Sequence, residues 1–326
     1  MPVVVQKYGG SSVADPDRLQ AVADRIRDTH ALGNEMVVVV SAMGETTDQL
    51  VELAAQMSSQ PHPREMDMLL TAGERITMAL LAISLNERGV PAVSYTGSQA
   101  GILTDSAHGG ARITRITGER VTASLSEGKV VIVAGFQGVD PERREVTTLG
   151  RGGSDTTAVA LAVTLGAALC EILTDVDGVF TADPRVVPDA RRLEAIGYDD
   201  MLELAKAGAG VLMPHSVEHA RDHGVLVHVR SSFHREPGTV VGDDARHLDL
   251  AGMAHANLGD IGVITLVGAG ANAGAGRALE VLAEHGIEAV PGETEGRTAR
   301  VEVPSADLDV AVRLVHERLL GMEATL

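Results

Sequence analysis

A lysine near the end of the first predicted strand is followed by two glycines and two serines. The stretch is VVVQKYGGSS, which places Lys7 two residues before Gly9, Gly10 and Ser11. Glycine lets a ligand approach the backbone closely, and glycine and serine also make ordinary turns. A turn accounts for the small residues but not for a lysine at the end of a buried strand, so the pattern favours a binding site.

A second stretch with unusual chemistry is TTLGRGGSDTTAVALAVTLGA (147–167), in which Arg151 precedes two glycines and a predicted helix. The glycines allow close approach to the backbone, Ser154 or Asp155 can cap the helix, and the helix N-terminus offers free N–H groups to an anion. An arginine can bind a carboxylate through two parallel hydrogen bonds. A capped helix with a surface arginine accounts for Gly-Ser-Asp but not for an arginine followed by paired glycines.

Common phosphate and metal motifs do not explain these stretches. The segment LTDVDGVFTADPRVVPDA (173–190) holds four aspartates, but their spacing is not that of a calcium-binding loop. The chain contains neither the P-loop pattern ending in Gly-Lys-Ser/Thr nor Gly-x-Gly-x-x-Gly after the first strand. Any phosphate site must therefore use a different design.

The elements that position these residues alternate between short β-branched runs and longer amphipathic stretches. This order predicts an α/β fold with a mostly parallel sheet covered by helices on both faces. Nearly every predicted strand ends in small or hydroxyl-bearing residues, and ligands of such sheets gather at the carboxyl ends of the strands. The predicted strands cover 3–6, 35–42, 90–97, 129–136, 168–175 and 225–232, and the predicted helices cover 15–31, a stretch from about 46, and 64–89.

The composition changes after about residue 237. Pro237, Gly238 and the polar run 242–249 resemble a connection. Beyond it we predict a small α+β module of about 70 residues, which is within the usual range for a domain. Its predicted strands are 261–268, 287–290 and 298–304, and its predicted helices are 276–286 and 306–320.

Composition limits the class of partner. The formal net charge is −18, which disfavours nucleic acid and anionic membranes and favours small molecules or protein chains as partners. The single Cys170 cannot form an internal disulfide, and neither a leader sequence nor a run of about 18 apolar residues is apparent. We expect a cytoplasmic protein with no nucleic-acid or membrane partner.

Nine stretches resemble, in order, the motif series of the aspartate kinases in the amino acid kinase superfamily. The resemblance covers about residues 1–241, and the tail is similar to one ACT-type regulatory module. The nine stretches are KYGGSSVAD, VVVVSAMGETTD, REMDMLLTAGERIT, TGSQAGILTDSAHGGARI, GFQGV, TTLGRGGSDTTAVALA, EILTDVDGVFTADPRVVPDARRL, YDDMLELAKAGAGVLMPHSVE and VHVRSSF.

The resemblance implies a fold and an activity. The fold is a three-layer αβα sandwich around a mainly parallel eight-stranded sheet, here at residues 1–242, with the ACT-like module at 256–326. The activity is ATP-dependent phosphorylation of the β-carboxylate of L-aspartate, with Mg²⁺ bridging the phosphates and held largely by the nucleotide and water. The module suggests dimerisation, so we expect a homodimer or a higher homo-oligomer.

The resemblance also implies roles for individual residues. Lys7 is similar to the family's phosphate-stabilising lysine, and Asp155 to the acid that organises that lysine. Arg151 is similar to the arginine that binds a substrate carboxylate, and Glu74 to the partner of the substrate ammonium. The other positions that match the aspartate pocket are Ser41, Thr47, Phe136, Gly152 and Ser154.

The nucleotide site is implied in the same way, and no metal held by the protein itself is expected. Gly9 and Gly10 are expected to expose their backbone N–H groups to the phosphates. The positions that match the nucleotide site are Gly9, Gly10, Ser11, Thr174, Asp175, Asp177, Phe180, Asp183, Pro184 and Arg185.

Two parts of the chain depart from the family pattern. Gly210 stands where the family usually has a lysine that reaches the ATP phosphates. Lys206, one helical turn upstream, is a candidate substitute, although a solvated helix residue is the simpler interpretation. The tail matches one ACT-type module where the family generally has two, and its loop GAGANAGAG lacks the usual Pro-Gly turn. From these absences we expect weak or no feedback inhibition by lysine or threonine.

Two other functions stay open. Arg151 and Glu74 would also bind a related amino acid, so a kinase for another amino acid carboxylate is one alternative. Gly210 and the short tail fit a catalytically weak regulatory or assembly paralog, which is the other. The presence of Lys7, Glu74, Arg151 and Asp155 argues against the second alternative.

Overall fold

The computed structural model of the chain describes residues 1–243 and 248–321. Part of the predicted connection at 242–249, namely 244–247, lies outside the described residues. The last residues of the predicted ACT-like module, 322–326, also lie outside them.

The chain forms two compact units, each built from two segments. The first comprises Met1–Asp175 and Asp222–Glu236, and the second comprises Val176–Arg221 and Pro237–Leu326. The two predicted domains, with their boundary near residues 242–256, stay a prediction.

The elements follow one another along the chain as strands with intervening helices. The strands are β1 (Val3–Tyr8), β2 (Glu35–Val40), β3 (Ala92–Tyr95), β4 (Ile102–Thr104), β5 (Ile113–Ile116), β6 (Val130–Ala134), β7 (Gln137–Asp140), β8 (Glu145–Thr148), β9 (Leu169–Thr174), β10 (Ala195–Ile196), β11 (Val227–Ser231), β12 (Thr239–Val241), β13 (Gly252–Leu258), β14 (Ile261–Val267), β15 (Val290–Glu295) and β16 (Thr298–Pro304). The helices are α1 (Pro16–Ala31), α2 (Thr46–Met57), α3 (Pro63–Glu87), α4 (Glu119–Ser126), α5 (Gly153–Leu165), α6 (Tyr198–Lys206), α7 (Pro214–His223), α8 (Ala271–Glu284) and α9 (Leu308–Leu319).

A parallel sheet forms the centre of the first unit, with six strands in the order β11-β9-β1-β2-β6-β3. Its central strands are continuous β-branched runs because both faces of the sheet are buried. The register places Lys7 between Val39 of β2 and Ile172 of β9. The remaining strands of the predicted eight-stranded sheet, β10 and β12, belong to the second unit, where they pair in parallel. The predicted sheet is confirmed.

Helices cover both faces of the parallel sheet, which confirms the predicted three-layer arrangement. On one face, Ile26 of α1 and Leu81 and Leu85 of α3 pack into one cluster with the side chains of the strands. On the other face lies α5, whose residues from Gly153 to Ala162 are nearly all buried. Successive strand side chains point to opposite faces, so Lys7 points towards α5 while its neighbour Tyr8 joins the cluster under α1 and α3.

A second sheet in the first unit is absent from the sequence prediction. It has four strands in the order β5-β4-β7-β8, and each strand is three or four residues long. Strands this short show neither the alternation of a half-buried strand nor a long apolar run. The sheet matters for the site because β7 and β8 form a hairpin whose last residue, Thr148, leads into the loop before α5.

One described helix, α3, is long and apolar enough to cross a membrane by length and composition. Half of the most apolar 18-residue stretch of α3 is buried inside the protein. A buried core helix passes the same test, so this feature is weak evidence for a membrane span. Within the first unit, α3 packs against α1, α2 and the parallel sheet.

The C-terminal part of the second unit is the predicted small α+β module. Its antiparallel sheet has the order β13-β14-β16-β15, and α8 and α9 pack on that sheet. The strand β13 was not predicted, and β15 begins at Val290 where the prediction ended. Ala182 and Val187 also belong to the apolar core of the module.

Replacing either of two helical glycines with alanine should change the free energy of unfolding in opposite directions. A Cβ at Gly73 of α3 would lie 2.6 Å from the Ala42 Cβ, whereas a Cβ at Gly276 of α8 would meet nothing within 4 Å. We expect Gly73→Ala to lower the free energy of unfolding by about 1–3 kcal/mol because it overpacks the core. We expect Gly276→Ala to raise it by about 0.5–1 kcal/mol because alanine loses less entropy in a helix. Urea denaturation of both variants measures these values, and a neutral Gly73→Ala would contradict the close packing of α3.

Candidate active site

The carboxyl end of β1 meets the N-terminus of α5 through an ion pair. Lys7 Nζ lies 2.7 Å from Asp155 Oδ1, and both side chains are largely buried, with 12% and 9% exposed. The contact is short, but it is not aligned as a hydrogen bond. Lys7 thus places a positive charge at the edge of the sheet where ligands of parallel sheets bind, and the first turn of α5 supplies its counter-ion.

The glycines after β1 form a tight turn beneath this lysine. A Cβ at Gly9 would lie 3.6 Å from Lys7 Nζ, and a Cβ at Gly10 would lie 3.1 Å from the carbonyl oxygen of Ala42. The Gly9 N–H donates to the carbonyl oxygen of Leu173 at 3.2 Å. The expectation that Gly9 offers its N–H to a phosphate is therefore wrong, because β9 already uses it. Ser11 lies in the 3-10 turn Gly10–Val13 that follows.

Glycine also allows α5 to approach the carboxyl end of β6. A Cβ at Gly135 would lie 2.7 Å from Ser154 Oγ, so no larger residue fits between β6 and the helix. Ser41, which follows β2, donates from its Oγ to Ser154 Oγ at 3.1 Å. The two serines predicted for the aspartate pocket are thus in contact.

Phe136 adopts a left-handed backbone conformation with φ of 67°, which costs a residue other than glycine about 1–2 kcal/mol. Its N–H donates to Thr157 Oγ1 at 3.2 Å, and its carbonyl oxygen accepts from the Leu149 N–H at 2.9 Å. The surrounding structure therefore holds this strained residue beside α5. Thr157 and Gly135 were not predicted as part of the site, and no local signal in the sequence marks either of them.

Arg151 lies in the loop between β8 and α5. Gly150 and Gly152 flank it with φ values of 73° and 72°, a conformation that favours glycine. The Arg151 side chain is exposed and makes no hydrogen bond or ion pair with another described residue. The guanidinium is therefore free to bind an anion from outside the protein.

Glu74 projects from α3 towards the residue that follows Ser41. Its Oε1 accepts from the Ala42 N–H at 3.2 Å, while its Oε2 is buried without a hydrogen-bond partner among the described residues. Burial raises the pKa of Glu74 to about 7. A buried carboxylate with one unpartnered oxygen is suited to receive a cationic group. Thr47, in the first turn of α2, is half-buried.

The residues predicted for the nucleotide belong to two places in the chain. In the first unit, Thr174 ends β9 and donates from its Oγ1 to Asp175 Oδ1 at 3.1 Å. In the second unit, Asp183 accepts from the Arg185 backbone N–H at 2.9 Å and pairs with its guanidinium at 2.7 Å, which lowers the pKa of Asp183. The other predicted nucleotide residues of the second unit are Asp177, Phe180 and Pro184.

Two positions in the second unit bear on the missing lysine of the family pattern. Gly210 has φ of 67°, so its backbone conformation favours glycine. Lys206, at the end of α6, pairs with Glu203 at 3.0 Å and is half exposed. Within residues 1–243 and 248–321, no group of three or more His, Cys, Asp or Glu side chains is arranged to hold a metal ion.

These features define an α/β protein with a buried cation at the carboxyl edge of a parallel sheet and a helix N-terminus beside it. The chain belongs to the amino acid kinase family, whose pattern matches residues 2–231.

Curated relatives carry the name aspartokinase. The chain is 56% identical to the aspartokinase of Mycolicibacterium smegmatis over 260 residues, which are 78% of this chain and 62% of that protein. It is 57% identical to the aspartokinase of Bacillus sp. (strain MGA3) over 244 residues, 75% of this chain and 59% of that protein. The chain therefore spans about three fifths of the length of the curated relatives it matches.

Solved structures share the fold. The aspartate kinase from Synechocystis superposes with a TM-score of 0.68 at 34% identity, covering 97% of this chain and 69% of that chain. E. coli aspartokinase III in complex with aspartate and ADP superposes with a TM-score of 0.83 at 23% identity, covering 97% and 99%.

Glu74 predicts a specific pH dependence of stability. Its pKa is raised from an ordinary 4.5 to about 7 in the folded protein, so the neutral form is favoured by folding. This contribution to stability is full below about pH 4.5 and is lost as the pH rises through 7. Glutamine does not titrate, so it does not lose this contribution. We therefore expect the free energy of unfolding of Glu74→Gln, relative to that of wild type, to increase by about 2 kcal/mol when the pH is raised from 5 to 8.

The measurement is urea denaturation of both proteins at the two pH values. Glu87→Gln is the matched control, because Glu87 is an exposed glutamate at the end of the same helix. A difference between wild type and Glu74→Gln that does not change with pH would show that Glu74 titrates normally.

Proposed function

We propose that this protein catalyses ATP-dependent phosphorylation of the β-carboxylate of L-aspartate, giving 4-phospho-L-aspartate and ADP. The observation that carries the proposal is the buried pair of Lys7 and Asp155, at 2.7 Å, where β1 meets α5. Identity of 56% to curated aspartokinases favours aspartate over other amino acids as the substrate.

In this proposal Lys7 stabilises the phosphoryl group during transfer. The transferring group spreads negative charge over its equatorial oxygens, so catalysis depends on positioning and on fixed positive charge. A β-carboxylate oxygen of aspartate attacks the γ-phosphorus, and the bond to the ADP oxygen breaks. The attacking carboxylate is already ionised near neutral pH and needs no general base. Asp155 therefore orients Lys7 and does not take a proton.

Aspartate would be held by two charged groups of opposite sign. Arg151, exposed and without a partner among the described residues, would bind the α-carboxylate through two hydrogen bonds. The unpartnered Oε2 of Glu74 would accept from the substrate ammonium. That ammonium stabilises the ionised form of Glu74 and so favours its deprotonation on binding. The pocket would be completed by Ser41, Thr47, Phe136, Gly152 and Ser154.

The phosphate donor in this proposal is Mg²⁺-bound ATP. Magnesium usually keeps several waters and binds through substrate phosphates and one or two carboxylates, so a nucleotide-bound ion needs no dedicated protein cage. Among the described residues, no group of three or more His, Cys, Asp or Glu side chains could hold a metal ion by itself, which supports the proposal that the nucleotide carries the magnesium. Bound magnesium would neutralise the phosphate charge, and this chain would contribute Lys7 at the transferred group. In the first unit, the nucleotide would be held by Gly10, Ser11, Thr174 and Asp175. The roles of the nucleotide residues named in the second unit stay a prediction.

We also propose a cytoplasmic homo-oligomer that acts on a small-molecule substrate. The net charge of −18 supports the proposal that neither nucleic acid nor an anionic membrane is a partner. Size-exclusion chromatography with light scattering measures the oligomeric state.

The test of the activity is to trap the acyl phosphate. Purified protein with Mg-ATP, hydroxylamine and a panel of amino acids should give a hydroxamate with aspartate alone. A hydroxamate with a different amino acid would support the related kinase instead. No hydroxamate with any amino acid would support the catalytically weak paralog.

Removal of the Lys7 charge should abolish turnover. We expect Lys7→Ala to lower kcat at least about 10²–10³-fold, the usual loss when a fixed group that stabilises the transition state is removed. Lys129→Ala is the matched control, since Lys129 is a surface lysine paired with Glu127. A Lys7→Ala variant with more than a tenth of wild-type kcat would contradict the role of Lys7.

Weak or absent feedback by lysine and threonine stays a prediction for this chain. The supporting features are local, namely the loop GAGANAGAG without Pro-Gly and the stretch HGIEAV without the usual asparagine. We expect the hydroxamate assay to keep most of its rate at about millimolar lysine or threonine, a usual range for metabolite binding. Strong inhibition by either amino acid would overturn the prediction.

A further inference from the structure

A buried aspartate on α3 has no role in the site described so far. Asp67 is fully buried and precedes Glu74 by two helical turns, so both side chains lie on the same face of α3. A carboxylate buried this deeply must have its charge balanced by several hydrogen bonds. The groups that provide these bonds therefore show which part of the protein Asp67 organises.

All the donors to Asp67 border the loop that carries Arg151. Thr148 Oγ1, at the end of β8, donates to Asp67 Oδ1 at 2.6 Å. His108 Nδ1 donates to Oδ2 at 2.7 Å, and the Gly109 N–H donates to Oδ1 at 3.1 Å. The carbonyl oxygen of Gly109 lies 3.3 Å from the position of a Cβ at Gly150. Asp67 therefore connects the end of β8, at Thr148, to His108 and Gly109, and the loop that carries Arg151 begins beside both.

His108 extends this contact to β8. Its Nε2 lies 3.2 Å from Glu145 Oε2, and Glu145 also pairs with Arg64 of α3 at 3.1 Å. Both ring nitrogens thus face carboxylates. An ionised carboxylate can accept hydrogen bonds but cannot donate them, so both ring nitrogens must be the donors. The hydrogen bond that His108 donates to Asp67 raises the pKa of His108, in agreement with a doubly protonated ring.

The loop itself needs such support. Gly150 and Gly152 are both left-handed glycines, the most flexible of residues, and Arg151 between them has no partner among the described residues. Its direction depends on how the ends of the loop are fixed. At one end the Gly153 N–H donates to the Gly150 carbonyl oxygen at 3.1 Å. At the other end is Thr148, which is held by Asp67.

We propose that Asp67 is a positioning residue that acts through His108, Gly109 and Thr148 to hold Arg151 where it meets the substrate carboxylate. This inference rests on the proposed role of Arg151 in binding aspartate. Asp67 itself touches neither substrate nor nucleotide. Its loss should therefore weaken aspartate binding and leave the phosphoryl transfer step intact.

The kinetic test is Asp67→Asn in the 326-residue chain. Asparagine keeps one acceptor oxygen but places an NH₂ group against the donors of this cluster. We expect the KM for aspartate to rise about tenfold, with kcat and the KM for ATP within about twofold of wild type. An unchanged KM for aspartate, or an equal loss in kcat, would overturn the proposal.

The matched control is Asp140→Asn. Asp140 is a buried aspartate at the opposite end of the β7–β8 hairpin, and it accepts from the Glu142 N–H at 2.9 Å. Its substitution also removes one buried negative charge, here from β7, but it lies away from the loop that carries Arg151. We expect the KM for aspartate to stay at the wild-type value. An increase equal to that of Asp67→Asn would mean that general destabilisation explains both.

Variants of His108 separate its hydrogen bond from its bulk, and they serve if Asp67→Asn does not fold. His108 is partly exposed, at 14% of the side chain. His108→Asn keeps a donor near the position of Nδ1, and we expect a KM for aspartate within about threefold of wild type. His108→Leu removes the donor, and we expect the tenfold increase. Equal KM values for the two variants would overturn the role of the hydrogen bond.

A measurement without substrate keeps this inference distinct from the proposed function. We expect the amides of residues 149–152 to exchange with deuterium about tenfold faster in Asp67→Asn than in wild type, and at the wild-type rate in Asp140→Asn. If the wild type forms no hydroxamate, the proposed function fails while this exchange still decides whether Asp67 anchors the loop. Unchanged exchange overturns the inference even in an active enzyme.

Discussion

The close approach of α5 to the carboxyl ends of β1 and β6 is the constraint on which the site depends. A buried ion pair such as that of Lys7 and Asp155 costs desolvation energy that its own attraction barely repays, so it contributes little to stability. The pair persists because the sheet fixes the lysine and the helix fixes the acid. Gly135 and Gly153 permit this contact, since a Cβ at Gly153 would lie 2.8 Å from the Leu149 Cβ. The packing of α5 against the sheet thus provides the stability that keeps Lys7 and Asp155 together, which the ion pair by itself would not provide.

The helix α3 shows how position on one helix gives two carboxylates different properties. Asp67 accepts hydrogen bonds from a histidine, a threonine and a backbone amide. Both of its carboxylate oxygens have donors, and the residue is fully buried. Glu74, two turns later, accepts one hydrogen bond from Ala42 and has one buried oxygen left over. Burial then raises the pKa of Glu74 to about 7. A full set of donors makes a carboxylate structural, and an incomplete set leaves it available to a ligand.

The sequence predicted those parts of the fold that depend on local pattern. The β-branched runs of β1, β2 and β6 and the apolar length of α3 identify the parallel sheet and its layers, because both signals arise within one element. The sheet of β4, β5, β7 and β8 was missed because its strands are short and gain their stability from each other. The pairing of Lys7 with Asp155 was expected from the family resemblance, and the structure places the two side chains 2.7 Å apart. The predicted role of the Gly9 N–H failed because its acceptor, Leu173, lies 164 residues away on β9, and Asp67 has no local mark that separates it from a surface aspartate.

Gly210 stands where the family resemblance predicts a lysine, and the two residues differ in backbone freedom as well as in charge. Gly208 and Gly210 have φ values of 100° and 67°, so the connection between α6 and α7 is built on conformations that other residues adopt at a cost of about 1–2 kcal/mol. A lysine introduced at position 210 would have to bear that cost or alter the turn before its ammonium reached any phosphate. A lysine at position 210 would therefore alter the backbone of this turn as well as add a charge. Lys7 differs in this respect, because the parallel sheet and not a turn fixes its position.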